Sequence, residues 1–315
     1  MTSILVTGAG GFIGRRVVAV AGRAGYGVTA MVRKGRASNA PNVVQHDLRL
    51  PLGDLPAVDW VFHLAGAYAG AGDEELQGAD SRMADNIVAW GLKAGVRNWV
   101  FASAAEVYGD VEGIATEEAP TRPVIPYGRI KLGVERLLVE RLKDVPDCRL
   151  VILRIGEVYG SEGRLVPELT ARLKRGFCPW PGTGRVQVSF VHVEDVAHAF
   201  VCAIQRAPVG VSVYNVTDDM PASWYDFTCR AARRLEAKSP LFLPISLVYS
   251  YAMCSTLASR IAHQEPILTR HALRLLLTPK TLSNARLKRE LGFQPQYPSY
   301  LEGMEEALRG LSHHA

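Results

Sequence analysis

At 315 residues, with 48% hydrophobic and 21% charged side chains, the chain has the make-up of a soluble globular protein. It carries enough apolar material for one large α/β unit, or for such a unit with a smaller partner lobe. A formal charge of +5 with no long basic run argues against nucleic acid as a partner. The five cysteines are scattered without a C-x-x-C pair, which argues against a disulfide framework or a metal knuckle and for reduced thiols in a cytoplasm. No metal site is expected, and no signal peptide, since the first strand begins almost at once.

Ile4-Leu5-Val6 reads as a buried strand, and Ile13, Val17, Val20 and Ala24 recur at helical spacing after it. Between them lies Thr7-Gly8-Ala9-Gly10-Gly11-Phe12-Ile13-Gly14, a strand-to-helix turn with glycines at every third position from Gly8. Such a turn needs residues without Cβ: one to bend, one to admit a pyrophosphate, one to pack helix on strand. The N–H groups and positive dipole end of the helix that follows then face the phosphates.

This Gly8-x-x-Gly11-x-x-Gly14 spacing resembles the fingerprint of extended short-chain dehydrogenases/reductases, a family of nucleotide-sugar epimerases, dehydratases and 3β-hydroxysteroid-dehydrogenase-like reductases. The resemblance implies that Gly8, Gly11, Phe12, Ile13 and Gly14 cradle an NAD(P) cofactor. It also implies a doubly wound parallel sheet of Rossmann type with a smaller mixed C-terminal part that binds a small-molecule substrate.

Val28 to Arg33 reads as the second strand, whose tip faces the adenosine ribose in such folds. Val32 stands where NAD-dependent relatives carry Asp, and Arg33 follows, with Arg36 nearby. A guanidinium forks onto phosphate, so NADP is expected over NAD. A third strand, Asn42 to His46, leads to Asp47-Leu48, the pair that contacts adenine in the family. A fourth, Trp60 to Leu64, runs into Leu64-Ala65-Gly66, which resembles the family loop beneath the cofactor. His63 is read as packing. A helix is expected from Asp73 to Ala94, where Asp80 to Ala84 match the family pattern poorly and no role is transferred to Asp80.

The fifth strand, Asn98 to Ala102, enters Ser103-Ala104-Ala105-Glu106-Val107-Tyr108-Gly109, similar to the family's S-S-x-x-V-Y-G. Aligned on Val107-Tyr108-Gly109, the usual substrate-touching hydroxyl falls on Ala104, so Ser103 is expected to take it over through an irregular strand end, the alternative being that the usual substrate hydrogen bond is missing. Glu106 stands where dehydratases of the family keep an acid/base glutamate; a structural role in the loop is the alternative. Tyr127 and Lys131 are four apart and share a helix face, where an ammonium favours the phenolate and also holds the nicotinamide ribose.

Arg149 to Arg154 reads as a sixth strand, and Phe190 to Ala197 closely resembles the family's F-[VI]-H-V-x-D-[VL]-A, with His192 and Asp195 tying a strand–helix junction. The division expected is 1-155 as dinucleotide-binding domain, with 188-216 returning to it, and 156-315 as substrate-binding part. Val188-Ser189-Phe190 replaces the R-D-F with which sugar-nucleotide members grip a diphosphate, leaving Arg164 or Arg185 to compensate. Leu241 to Ala258 is uncharged but interrupted by Pro244, and is expected to be a buried or ligand-covering helix with no membrane span. The apolar residues from Phe242 to Met253 resemble the substrate-covering helices of steroid- and flavonol-type reductases.

The resulting expectation is an NADP-dependent oxidoreductase for a ketone or secondary alcohol of fairly apolar character, with a homodimer as a compatible assembly. A nucleotide-sugar epimerase or dehydratase using a tightly bound NAD(P), and a non-enzymatic cofactor-binding module, are the alternatives.

Overall fold

The computed structural model describes residues 1–36, 38, 40–66, 74–262 and 270–312. His263 and the terminal His313-His314 pair lie outside them.

The first half alternates strand and helix: β1 (Ser3–Thr7), α1 (Phe12–Arg23), β2 (Gly27–Val32), β3 (Asn42–Gln45), β4 (Trp60–His63), α2 (Glu74–Lys93) and β5 (Asn98–Ala104). A 3₁₀ turn at Ala105–Val107 follows, then α3 (Pro126–Leu142), β6 (Arg149–Ile155), β7 (Glu157–Tyr159), α4 (Leu165–Lys174), β8 (Pro179–Pro181), β9 (Gln187–Val188) and β10 (Phe190–His192). The remainder comprises α5 (Val193–Arg206), β11 (Gly210–Val216), β12 (Ala222–Ser223), α6 (Trp224–Arg234), β13 (Leu241–Leu243), α7 (Ile245–Ala262), α8 (Arg270–Leu277), α9 (Ala285–Leu291) and α10 (Tyr300–Ser312).

Seven strands form one parallel sheet in the order β11-β6-β5-β4-β1-β2-β3. Chain order reverses between β1 and β4, so the sheet is the doubly wound fold expected, with its crevice at the carboxyl ends of those two strands. The strands are apolar on both faces because both are covered. Val17, Val20 and Ala21 of α1 meet Val196, Phe200 and Ala203 of α5 on one face; Ile87 and Val88 of α2 meet Val134 and Leu138 of α3 on the other.

The C-terminal part has its own aromatic core, in which Phe190 stacks on Phe227 at 4.3 Å, with Trp180, Trp224, Tyr300 and Met304 around them. His192 caps α5 and reaches Glu306 of α10 at 2.9 Å, while Asp195 accepts the N–H groups of Gln296 and Tyr297 at 2.6 and 3.1 Å. Both residues therefore tie α5 to the C-terminal segment.

All five cysteines are free. Among the described residues no helix is long and apolar enough to cross a membrane. Of the two roles expected for the helix after Pro244, buried or ligand-covering, the exposure of α7 does not fit the first. Among the described side chains of α7, Val248 and Ala252 are buried, whereas Leu247, Tyr251 and Met253 are half exposed or more. Apolar residues lie all round that helix, and a stripe at i and i+4 is all that one neighbour can cover.

Candidate active site

At the crevice, Gly8 has φ +68°, and a Cβ there would sit 2.7 Å from Ala65 N. At Gly14 a Cβ would come within 2.2 Å of the Gly8 carbonyl, so the close approach of α1 to the turn admits glycine alone. Gly11 is exposed and donates to the Gly8 carbonyl at 2.9 Å. No side chain caps α1 and its first turn holds no acidic residue, which suits an anion at that end. The Phe12 ring lies against Gly160 and Gly163, and Ile13 packs on the sheet, so these two residues offer the site their backbone.

Beyond β2, Arg33, Lys34, Gly35 and Arg36 are exposed and line a cleft of about 620 Å³ with Gln45, His46, Asp47 and Arg49. Lys34 and Arg49 were not singled out from the sequence; their cleft is assembled by β2 and β3 lying side by side. Asp47 accepts from Arg49 Nη2 at 2.6 Å, and this bond lowers its pKa to about 2. Leu48 is buried and its carbonyl accepts Asn86 Nδ2 at 2.8 Å.

Thr7 Oγ1 accepts the N–H groups of Leu64 and Ala65, each at 3.2 Å, which fixes the loop after β4 against β1. Its hydroxyl also shares a 2.9 Å hydrogen bond with His63 Nδ1. Burial, then the Lys131 charge, pushes His63 down to about 3, so the ring is neutral and serves packing. A Cβ at Gly66 would meet Asp80 Oδ2 at 2.7 Å and Lys131 Nζ at 3.1 Å, so this glycine leaves the space those two groups share. Asp80 is thus a site residue that sequence reading passed over; its mismatched family pattern concealed it.

Tyr127 and Lys131 lie one turn apart near the start of α3, which begins with Pro126. Lys131 Nζ stands 5.2 Å over the Phe101 ring and 5.8 Å from the Tyr127 ring centre. Burial lowers the Lys131 pKa, with Asp80, Glu106 and Glu135 partly offsetting it. Burial followed by the charges of Glu106, Asp80 and Glu157 raises Tyr127 above the usual phenol range. Desolvation and the three carboxylates favour the protonated hydroxyl, whereas the sequence reading has Lys131 favouring the phenolate.

The expectation for Ser103 is corrected. β5 stays regular through Ala104, with Ser103 opposite Arg154 and Ala104 opposite Ile155, so the two side chains face opposite ways. The Ser103 hydroxyl is buried and donates to Glu135 Oε1 at 2.5 Å, one turn beyond Lys131 on α3. Glu135 is forked by Arg154 at 2.8 and 3.1 Å, and Arg154 in turn stacks on Tyr108 at 4.8 Å. That hydroxyl is committed to a structural network and is not aimed at a substrate.

Glu106 sits in the 3₁₀ turn, and its Oε1 accepts from Lys280 Nζ at 2.6 Å; Lys280 also reaches Glu157 Oε2 at 3.3 Å. Lys280 and Glu157 were missed, since nothing local in the sequence pairs residues 174 positions apart. Both arginines offered as a substitute diphosphate grip are exposed at the surface. Arg164 bonds Glu168 at 3.1 Å, and Arg185 lies 5.1 Å over the Tyr225 ring.

The profile of the NAD dependent epimerase/dehydratase family matches residues 4–217. A 3-diazoavenalumate denitrifying reductase from Streptomyces sp is 30% identical over 96% of this chain and 98% of its own. Short-chain dehydrogenase/reductase family 42E member 1 of Mus musculus is 26% identical over 99% of this chain and 88% of its own. Among solved structures, a dTDP-glucose 4,6-dehydratase from Streptomyces venezuelae, with NAD bound, superposes with a TM-score of 0.79 at 21% identity, over 99% of this chain and 97% of that one.

Proposed function

The chain belongs to the NAD dependent epimerase/dehydratase family, whose extended short-chain members are NAD(P)-dependent enzymes, and from that premise we propose that it is an NADP-dependent oxidoreductase. It moves a hydride between the nicotinamide and a ketone or secondary alcohol of fairly apolar character. The observation that carries the cofactor preference is the cleft beyond β2, where Arg33, Lys34, Arg36 and Arg49 surround one acidic side chain, Asp47, already bonded to Arg49. A ribose 2′-phosphate fits that charge; a free 2′-hydroxyl asks for a carboxylate acceptor.

The bound dinucleotide supplies the hydride. Around it, the turn from Gly8 to Gly14 and the leading N–H groups of α1 hold the pyrophosphate. Lys131 holds the nicotinamide ribose, with Asp80 beside it, and the Tyr127 hydroxyl passes the proton to or from the substrate oxygen. Burial and the charges of Glu106, Asp80 and Glu157 keep the phenol protonated, the form from which carbonyl reduction starts.

Calorimetric titration with both cofactors tests the reading. NADP(H) is expected to bind more tightly than NAD(H), and Arg33→Ala to weaken NADP(H) by about ten- to a hundredfold. Equal affinities in the parent protein contradict the preference. Glu106, acting electrostatically on Tyr127, favours a second reading, an epimerase or dehydratase that returns the hydride to its substrate. Its engagement with Lys280 counts against that one.

A further inference from the structure

Lys280 enters the site from the strand-like segment after α8, where its N–H bonds Gln187 O at 3.0 Å and its carbonyl accepts Ser189 N at 2.8 Å. Its ammonium is almost wholly buried, as is the Glu106 carboxylate that it contacts. Glu157, the second carboxylate, keeps 24% of its side chain exposed. Three segments far apart in sequence thus converge beside Tyr127. A purely structural tie between them is as well made by apolar side chains, because burying an ion bridge costs much of what its attraction returns. The bridge lies against the start of α3, where a Cβ at Gly128, next to Tyr127, would meet the Glu106 carbonyl at 2.3 Å, and both of its carboxylates act on the Tyr127 phenol.

Among the described residues, the charged groups acting on Tyr127 or sharing its surroundings are Asp80, Glu106, Glu157 and Glu135 against Lys131, Lys280 and Arg154, the last forking Glu135. The sum is one net negative charge, with Asp80 and Lys131 on the cofactor side. Burial works against the Lys280 ammonium, but Glu106 and Glu157 more than offset it, so it stays charged. An ammonium has three N–H donors, and the two carboxylates take two.

We propose that the Glu106–Lys280–Glu157 bridge selects the substrate. It admits a ketone or secondary alcohol that is uncharged or cationic beside the reacting carbon, and rejects one bearing a carboxylate or phosphate there. The proposal rests on the oxidoreductase reading above and narrows its substrate class. The third N–H of Lys280 bonds an oxygen next to the reacting carbon, and the carboxylates repel an anion. An anion about 6 Å from one net negative charge, at an effective dielectric near 20, loses on the order of a hundredfold in affinity.

The test is steady-state NADPH oxidation with three ketones of matched size that differ only in carrying an amide, an amine or a carboxylate next to the carbonyl. In the parent protein the carboxylate is expected to fall about a hundredfold below the amide in kcat/KM, through KM. Glu157→Gln is expected to shrink that gap to a few fold, and Lys280→Met to widen it. Equal values for amide and carboxylate in the parent, or an unchanged gap in Glu157→Gln, overturn the proposal. A binding arm separates its failure from that of the oxidoreductase reading. The amide and carboxylate ketones titrated onto the NADP-saturated Tyr127→Phe variant, which does not turn them over, are expected to differ about a hundredfold in affinity. Equal affinities there overturn the proposal whether or not any ketone is reduced.

Discussion

Tyr127 carries the chemistry in this account, and its surroundings rather than its spacing from Lys131 set its proton. Tyr127→Phe is expected to retain cofactor affinity, measured by calorimetry, and to lose nearly all turnover; full activity in that variant removes Tyr127 from the mechanism. The sequence exposed the Tyr127/Lys131 pair because helical spacing is local information. It did not expose the direction of Ser103, where a shift of one residue along a strand exchanges one face for the other. With its hydroxyl on Glu135, Ser103→Ala is expected to destabilise the fold by about 1–3 kcal/mol, the cost of one hydrogen bond to a buried charged group. Denaturant unfolding measures that loss. A tenfold fall in kcat with unaltered stability instead returns Ser103 to the reacting centre.

Among the elements, the glycine turn was legible to the residue, since a strand, three glycines and an amphipathic helix leave few alternatives. The Gly14 approach is the most demanding feature of that turn, with a Cβ 2.2 Å from the Gly8 carbonyl. Gly14→Ala must shift α1 against β1, and is expected to weaken NADP(H) binding by at least about tenfold while costing about 1–3 kcal/mol in stability. Calorimetry and denaturant titration read the two effects separately. The apolar run after Pro244 was legible as a helix, but not which of the two expected roles, buried or ligand-covering, it takes. Composition marks an apolar helix, but only the packing of α7 decides which of its residues a neighbour covers.

For the whole molecule, parallel strands and their right-handed crossovers followed from the alternation of apolar runs and helical segments. The convergence of Glu106, Glu157 and Lys280 did not, because it depends on how the C-terminal segments fold back over the sheet. That same return buries Asp218, which accepts from Met220 N at 3.2 Å between the sheet and the C-terminal core. Burial, with the charges of Asp219 and Asp195, raises Asp218 to about 8. Its folded pKa thus lies above the unfolded value, so its contribution is complete below pH about 4 and is lost as pH rises through about 8. Asp218→Asn is expected to raise the melting temperature at pH 8.5 relative to the parent, with the difference vanishing near pH 4. Parallel melting curves for the two proteins across that range contradict the assignment.

The central claim, net hydride transfer between NADP(H) and a carbonyl substrate, is tested most directly by following the label from NADPH deuterated at nicotinamide C4 during turnover of a reduced ketone. The account predicts one deuterium at the carbinol carbon for each NADPH consumed, abolished in Tyr127→Phe. Conversion of a sugar nucleotide with no net loss of NADPH, the hydride returning to the substrate it left, would contradict it.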